Sequence, residues 1–275
     1  MAPSLIGQAN RLIPEIEDYS KVLSEMPRAT RIIALGEFYF ISRGFDLIRF
    51  TEYELVDSAY ERCIVGECLE SCDPDYQEQE VKRLKRAGYT PLEIGAEIES
   101  YKLHVGQPVQ TVFRVAYCEF PIKDKSGVKV SAKQIRGVFT HADYMGLGIA
   151  SFAYLYLVDK YQYLVCDTLQ TVKGATLWAV SMRKHGLVEI YDTKNENFIE
   201  ELGEDACGVS GFIPWDIGKS DGGQMRRREE WGTNKINLTP GACTHIVNIL
   251  TKRSMNQKTR FGGFFYGKPP LCTYH

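Results

Sequence analysis

Two glycines separated by one residue, Gly146 and Gly148, lie between an apolar segment typical of a strand and an amphipathic segment typical of a helix. The first amides of a helix have no partners inside the helix, and the helix dipole adds partial positive charge beside them. Glycines allow the backbone to approach a phosphate closely. The segment 138–150 therefore predicts a binding site for a diphosphate, although a tight strand-to-helix turn without a ligand would use the same two glycines.

Two common nucleotide-binding motifs do not fit this segment. A P-loop requires the pattern G-x-x-x-x-G-K-[ST], whereas Leu147 and Ile149 stand where that motif requires polar residues. A Rossmann fingerprint requires a third glycine or alanine, an acidic residue about 20 positions further on, and a place in the first β-α unit. Here Ser151 follows the two glycines and the segment lies in the middle of the chain, so both motifs are excluded.

The segment resembles motif A of the GNAT superfamily of acyl-CoA-dependent N-acyltransferases, in which a Q/R-x-x-G-x-G/A turn binds the diphosphate of acyl-CoA. Residues 145–150 (MGLGIA) fill this frame, with Met145 where the family usually has Arg or Gln. Asp143 and Tyr144 precede the turn, as they often do in these enzymes. The resemblance covers residues 109–192 and implies an α/β (α+β) fold, with a GNAT-like mixed central sheet flanked by helices.

The resemblance also implies an activity and a set of cofactor-binding residues. The protein would be an acyltransferase that moves an acetyl group from acetyl-CoA to an amine. The backbone before the turn would bind the pantetheine arm, and the backbone amides of the turn would be the main ligands of the diphosphate. These residues are Val138, Phe139 and Thr140 for the arm, and Met145, Gly146, Leu147, Gly148, Ile149 and Ala150 for the diphosphate.

Acetyl transfer to an amine also needs a base near the amine and a weak acid near the leaving thiolate. Glu119 and Asp167, which end two predicted strands, are candidate bases, and Tyr191 and Thr171 are candidate proton donors. Each of them has a plainer interpretation as an exposed carboxylate, a capping residue or a half-buried tyrosine. His141 lies closer to the motif and is of a type that often acts as an acid or base, but a single histidine on a turn is most often exposed to solvent.

The residues around the motif predict the elements that position it. These elements are strands at 109–120 and 128–140 joined by a turn at 123–127, a helix at 149–160, a strand at 163–166, a helix at 172–184 and a strand at 187–191. Short β-α-β connections imply that the strands on either side of a helix are parallel, at least locally.

This pattern divides the chain into three predicted segments. They are N-terminal helices and the first strand or strands at 1–108, packed on the core; the acyl-CoA-binding core at 109–192; and a C-terminal extension at 193–275 that shapes the acceptor site. In the extension, a helix or a strand is predicted at 243–252, and a Gly/aromatic tail at 260–270.

The N-terminal segment has its own local signals. Apolar spacing over residues 10–26 predicts a helix that starts near Pro14, and β-branched and aromatic residues predict one or two strands at 31–50. A charged helix is predicted at 76–87. Thr90 and Glu93 then mark the start of a further helix, as its N-cap and capping-box carboxylate.

The composition is that of an ordinary globular protein. Of 275 residues, 44% are hydrophobic, 25% charged and 12% aromatic, which excludes wholesale disorder and fibrous repeats. The longest apolar stretch, 149–158, is about half of the roughly 20 residues that a membrane span needs, so no membrane partner is expected. No secretory signal is visible, and the eight cysteines are expected to be free thiols in the cytoplasm. No metal is predicted, because the spacing of Cys63, Cys68 and Cys72 does not match a structural zinc site.

The acceptor amine is not specified by the sequence: a small amine, a protein and a nucleobase all remain open. Cations mixed with aromatic residues at 226–228 and 260–266 are typical of single-strand nucleic-acid binders. Three alternatives therefore accompany the enzyme hypothesis. They are a nucleic-acid modification protein with the same fold, a catalytically silent CoA-binding scaffold, and a DNA-binding regulator that uses the helices at 83–98.

Overall fold

A nine-stranded mixed sheet is the centre of the fold. The computed structural model describes residues 4–6, 22–167, 169–203, 206–212, 214–217, 239–240 and 245–253. The strands are β1 (Ser4–Ile6), β2 (Arg31–Ile41), β3 (Leu47–Val56), β4 (Arg62–Leu69), β5 (Val109–Lys123), β6 (Lys129–Thr140), β7 (Leu164–Val165), β8 (Leu169–Thr171), β9 (Leu187–Asp192), β10 (Asn197–Glu201), β11 (Asp216–Ile217), β12 (Thr239–Pro240) and β13 (Ile246–Thr251).

The strand order in the large sheet is β10-β9-β13-β7-β6-β5-β4-β3-β2. Neighbouring strands are antiparallel, apart from the parallel pair β6 and β7. The short strands β12, β11, β1 and β8 form a second sheet, which is parallel. The predicted mixed α/β fold, with helices flanking a central sheet, is confirmed.

The strands β2 to β6 form an antiparallel meander that is larger than predicted. The segment 31–50 contributes all of β2 and the start of β3, and the predicted hairpin is present as β5 and β6. The sequence did not predict β4, whose side chains are buried on both faces of the sheet. A bulge between Gly66 and Glu67 also interrupts its alternation.

Two helices, α1 (Pro74–Arg86) and α2 (Pro91–Ser100), cover one face of β2 and β3. Thr90 and Glu93 form the predicted capping box of α2. The two helices share an apolar cluster with the sheet, made of Ile41, Leu47, Leu69, Val81, Leu84, Ile94 and Ile98. A Cβ at Gly95 would lie 2.6 Å from the carbonyl carbon of Tyr39, so α2 approaches β2 as closely as only glycine allows. The inner face of α2 is therefore committed to packing.

The opposite face of the sheet is covered by α3 (Ile149–Tyr161) and by a helix at 172–185. Phe152 of α3 stacks on Phe40 of β2 with ring centroids 4.1 Å apart. The helix at 172–185 contains a π-helical segment, Leu177–Met182. Its Trp178 lies 5.5 Å from Tyr154 of α3, between ring centroids, so the two helices are neighbours on this face. Among the described residues, no helix combines the length and apolar composition that a membrane span requires.

Part of the chain after residue 192 forms an inner strand of the large sheet. β13 lies between β7 and β9 and is antiparallel to both, so the strand alternative predicted at 243–252 is the one that forms. All three predicted segments thus contribute strands to one sheet. The predicted helix that starts near Pro14 lies in large part outside the described residues, and the tail at 260–270 and the cluster at 226–228 lie entirely outside them. The six cysteines in the described part of the chain are free thiols.

Candidate functional site

The parallel strands β6 and β7 separate soon after they meet. Their pairing is limited to Lys133 with Leu164 and Gln134 with Val165. β7 then ends, while β6 continues to Thr140 with β5 as its only neighbour among the described strands. We call the space between β6 residues 135–140 and the chain that follows β7 the strand gap.

The backbone of β6 presents polar groups to the strand gap. The amide of His141 donates to the carbonyl of Val112 on β5, at 2.8 Å. In an antiparallel pair, hydrogen-bonded and non-hydrogen-bonded residues alternate. Phe139 therefore also faces β5, whereas the N–H and C=O groups of Val138 and Thr140 point away from it. Two of the three residues predicted to bind the pantetheine arm thus present their backbone to the gap, and no described residue pairs with them there.

The turn after β6 leads directly into α3. Gly146 and Gly148 both have left-handed backbone angles, with φ of 82° and 89°, which glycine adopts without steric strain. The first hydrogen bond of the helix runs from the amide of Phe152 to the carbonyl of Gly148, at 2.9 Å. The amides of Ile149 and Ala150 therefore have no partner inside the helix.

The start of α3 differs from the starts of α1 and α2 in its lack of a side-chain cap. Asp73 accepts a hydrogen bond from the amide of Tyr76 at the start of α1, and Thr90 caps α2. Gly148 occupies the corresponding position of α3 and has no side chain that could do the same. The amides at the start of α3 thus remain available to an external anion.

A cation approaches this turn from a distant part of the sequence. The hairpin between β2 and β3 lies against the turn, and the amide of Arg43 donates to the carbonyl of Leu147 at 3.0 Å. The Nε of the exposed Arg43 side chain is 3.6 Å from the position that a Cβ at Gly148 would occupy. Arg43 was missed by sequence reasoning, because no local pattern links it to Met145 or to the turn.

The pKa of His185 indicates that positive charges lie close to the turn. This pKa is lowered, first by burial and then by the positive charges of Arg43 and Lys184. His141, the histidine singled out from the sequence, caps the turn instead: its Nδ1 accepts from the amide of Asp143 at 3.4 Å. The net result is a turn with open amides and nearby cationic side chains.

Glu119 does not reach the strand gap. It pairs across the sheet with Lys133, and their side chains form an ion pair at 3.2 Å. The hydrogen bond from Lys133 lowers the pKa of Glu119, and 67% of its side chain is exposed. Lys133 belongs to the part of β6 that is still closed by β7, so Glu119 lies on the closed side of the separation.

Tyr191 is also held elsewhere. Its side chain is buried, and its hydroxyl accepts from the amide of Lys123 at 2.9 Å. Burial raises the pKa of this hydroxyl. Lys123 pairs with Lys129, the first residue of β6, and therefore lies at the opposite end of that strand from Thr140.

Asp167 is the predicted catalytic residue that the fold keeps beside the strand gap. It follows Cys166 directly, at the point where the chain leaves β7, and it is half-buried. Its carbonyl accepts from the side chain of Gln170 at 3.2 Å. The side chain of Thr171 lies outside the described residues.

The closed end of the strand gap is formed by a row of residues across three strands. The side-chain amide of Gln134 on β6 donates to the carbonyl of Cys166 at 3.3 Å. The amide of Cys166 donates to the carbonyl of Asn248 on β13 at 2.9 Å, and the amide of Asn248 donates to the Cys166 Sγ at 3.2 Å. Burial raises the pKa of the Cys166 thiol to about 12, so this thiol is neutral at ordinary pH.

The other end of α3 carries a polar cluster that the sequence did not reveal. The carboxylate of Glu52, on β3, is buried and accepts hydrogen bonds from five side chains. The donors are Tyr117 at 2.6 Å, Tyr161 at 2.8 Å, Tyr156 at 3.1 Å, Arg62 at 3.2 Å and Lys160.

These donors determine the charge of Glu52. Burial alone would raise the pKa of Glu52, but the hydrogen bonds from Lys160 and Tyr117 outweigh burial and lower it to about 2. Burial and the charge of Glu52 raise the pKa of Tyr161 to about 12. The carboxylate is therefore ionised, and its acceptor capacity is used within the chain.

Comparison with known proteins finds no match for this chain, either to a protein-family model, to a curated protein or to a solved structure. Among the described residues, no group of three or more His, Cys, Asp or Glu side chains is arranged to hold a metal ion. The chemistry of the site is therefore inferred from the strand gap and the turn.

Proposed function

We propose that this protein is an acyl-CoA-dependent N-acyltransferase that moves an acetyl group from acetyl-CoA to an amine. The observation that carries the proposal is the strand gap, which opens where β6 leads into a glycine turn and an uncapped helix. An extended arm and a diphosphate joined to it match these two features in the same order. The resemblance of residues 138–150 to motif A supports the same ligand.

The residues present fit this cofactor. A pantetheine arm contains secondary amides, and the unpaired backbone groups of Val138 and Thr140 can bind them as a sheet edge binds an added strand. The amides of Ile149 and Ala150, together with the helix dipole, favour the diphosphate. Arg43 supplies the positive charge that Met145 lacks.

Acetyl-CoA would supply an activated acetyl thioester to this site. During transfer, the amine nitrogen forms a bond to the acetyl carbonyl carbon, the carbon–sulfur bond breaks, the amine loses a proton and the thiolate gains one. Asp167 is the candidate base, because it is the predicted carboxylate beside the strand gap. Glu119 and Tyr191 are held by Lys133 and by the amide of Lys123 away from the strand gap, so their positions make them weaker candidates than Asp167.

Ligand-induced thermal stabilisation tests the proposal. A ligand at 100 times its dissociation constant adds about 2.7 kcal/mol to the free energy of unfolding. We expect acetyl-CoA to raise the melting temperature of the wild-type protein, and NAD and ATP to leave it unchanged. A wild-type protein that no CoA ester stabilises would contradict the proposal.

A matched pair of variants locates the binding site. Gly146→Glu places a negative charge against the diphosphate, whereas Gly127→Glu places the same charge in the turn between β5 and β6. The two glycines have φ of 82° and 83°, and a Cβ would meet no atom within 4 Å at either position. Backbone strain is thus the same in both variants, and we expect only Gly146→Glu to abolish the stabilisation by acetyl-CoA.

The acceptor is identified by incubation with labelled acetyl-CoA and a panel of small amines, proteins and nucleic acids. Labelled nucleic acid would indicate a nucleobase-modifying enzyme, and binding without any transfer would indicate a silent scaffold. A DNA-binding regulator would instead show a salt-dependent affinity for duplex DNA. That affinity would depend on the basic residues of α1, of which Lys82 and Lys85 lie over the ring of Phe45.

A further inference from the structure

The side chain of Asn248 is the clearest polar anomaly in the described part of the chain. Asn248 lies in β13 and is 0% exposed. Among the described residues, neither its Nδ2 nor its Oδ1 has a hydrogen-bond partner. A buried polar group without a partner costs free energy, and native structures rarely keep one without a reason. Here both the donor and the acceptor of one carboxamide are left unpaired.

This carboxamide lies beside the closed end of the strand gap. The backbone of Asn248 on β13 is hydrogen-bonded to the amide and to the Sγ of Cys166, the residue directly after β7. Side chains of directly opposite residues share a face of the sheet, so the carboxamide lies on the same side as the Cys166 thiol. Gln134 joins Cys166 to β6 from the other side. Asn248 is therefore one strand away from the point where β6 and β7 separate.

The helix at 172–185 covers this face. Leu250 is two residues from Asn248 and so shares its face. A Cβ at Gly186, directly after the helix, would lie 2.6 Å from the Leu250 Cδ1. The same helix carries the π-helical segment Leu177–Met182, and single π-helical turns occur frequently at functional sites. Because Asn248 is 0% exposed, a ligand in the strand gap can reach it only if the residues that cover it, this helix among them, move.

We infer that Asn248 binds the secondary amide of the pantetheine arm that is nearest to the thioester. This inference rests on the proposed function. A carboxamide with one open donor and one open acceptor is complementary to a secondary amide, which offers one C=O and one N–H. An arm that follows Val138 and Thr140 from the turn ends at the closed end of the gap. Binding would give Asn248 the two partners that it lacks in the free protein.

The variant Asn248→Leu separates this inference from the proposed function. Leucine has a similar volume and no polar atoms, so we expect the free variant to be as stable as the wild type or to melt about 2–4 °C higher. Its affinity for acetyl-CoA should fall about tenfold or more. Its affinity for adenosine 3′,5′-diphosphate should not change, because that molecule contains no pantetheine arm.

A second pair of variants controls for packing. Asn248→Ala should lose affinity for acetyl-CoA in the same way, without the bulk of leucine. Gln134→Leu removes a side chain that already has a partner, and we expect it to lower the melting temperature of the free protein.

Each outcome has a distinct meaning. Unchanged acetyl-CoA affinity in both Asn248 variants would overturn the role of Asn248 and leave the proposed function intact. Equal losses for acetyl-CoA and for adenosine 3′,5′-diphosphate would also overturn it, because the effect would then not be specific to the arm. A wild-type protein that binds neither molecule would overturn the proposed function itself.

Discussion

The polar groups at the two ends of α3 differ in their hydrogen bonding. At the N-terminal end, the helix starts at Gly148 without a side-chain cap, and Arg43 lies beside it with an exposed side chain. At the C-terminal end, the buried carboxylate of Glu52 receives five hydrogen bonds and is ionised. Among the described residues, one end has amide donors without a side-chain cap, and the other has a carboxylate that accepts five hydrogen bonds.

This difference separates the proposed ligand-binding site from a structural cluster. Glu52 lies on β3, and its hydrogen-bond donors come from β4, β5 and α3. The cluster therefore connects the end of the helix to three strands. A carboxylate whose lone pairs are all occupied has no capacity left for a substrate. The N-terminal end has that capacity in its amides, and the position of α3 on the sheet keeps them beside the strand gap.

The largest expected effect comes from removing the Glu52 carboxylate at the C-terminal end of α3. Glu52→Ala removes the acceptor that five side chains share, among them the partly exposed cations Lys160 and Arg62 and the buried hydroxyl of Tyr117. Loss of one side of a buried ion pair costs about 3 to 5 kcal/mol. We expect a decrease of this size in the free energy of unfolding, measured by urea denaturation.

The control for this variant is Glu54→Ala. Glu54 is two residues further along β3, half-buried, and we expect its replacement to change the free energy of unfolding by about 0.5 kcal/mol or less. The folded fraction of Glu52→Ala should still be stabilised by acetyl-CoA, since the turn is unchanged. Equal destabilisation by the two variants would show that the cluster has no special role.

The next largest effect is a dependence of stability on pH. The pKa of Glu52 is lowered from 4.5 to about 2 by its donors, so the folded protein favours the ionised form. A shift of this size corresponds to about 3 kcal/mol of stability, present above the pKa of the unfolded chain near 4.5. That contribution is lost as the pH falls from about 4.5 through about 2.

Denaturation curves between pH 6 and pH 2 measure this effect. The wild-type protein should lose more stability over that interval than Glu52→Gln, which cannot titrate at this position. Parallel curves for the two proteins would mean that Glu52 is not the carboxylate responsible. Binding of acetyl-CoA at neutral pH should be the same in both, which keeps the two ends of α3 distinguishable.

Local signals in the sequence explain which elements could be predicted. Thr90 and Glu93 mark the start of α2 within four residues, and the spacing of Gly146 and Gly148 marks the turn before α3. A cap or a tight turn is decided by residues that are neighbours in the chain. The order of strands and helices from β5 to β9 follows from such signals, and the structure has it as predicted apart from the short strand β8, which was not predicted.

Long-range contacts explain what could not be predicted. Glu52 is 65 residues from Tyr117 and 104 from Tyr156, and no local pattern brings them together. Arg43 reaches the turn only because the hairpin between β2 and β3 lies against Leu147. Predicted bases and acids such as Glu119 were chosen from their position at strand ends, but which end of the sheet they occupy depends on the pairing register. Tertiary structure decides these placements.

The smallest expected effect tests whether Arg43 belongs to the open end of α3. Arg43→Ala removes a cation beside the turn and should weaken acetyl-CoA binding by up to about tenfold, or about 1.4 kcal/mol. Stability should change little, because the side chain is exposed. Arg31→Ala is the control, since Arg31 is an exposed arginine at the opposite end of β2.

Titration calorimetry at low and high salt measures the affinity of both variants for acetyl-CoA. The difference between wild type and Arg43→Ala should shrink at high salt, because screening weakens exposed charges. A loss that salt does not alter would mean that Arg43 acts through the shape of the hairpin, and the open end of α3 would then bind its anion through backbone amides alone.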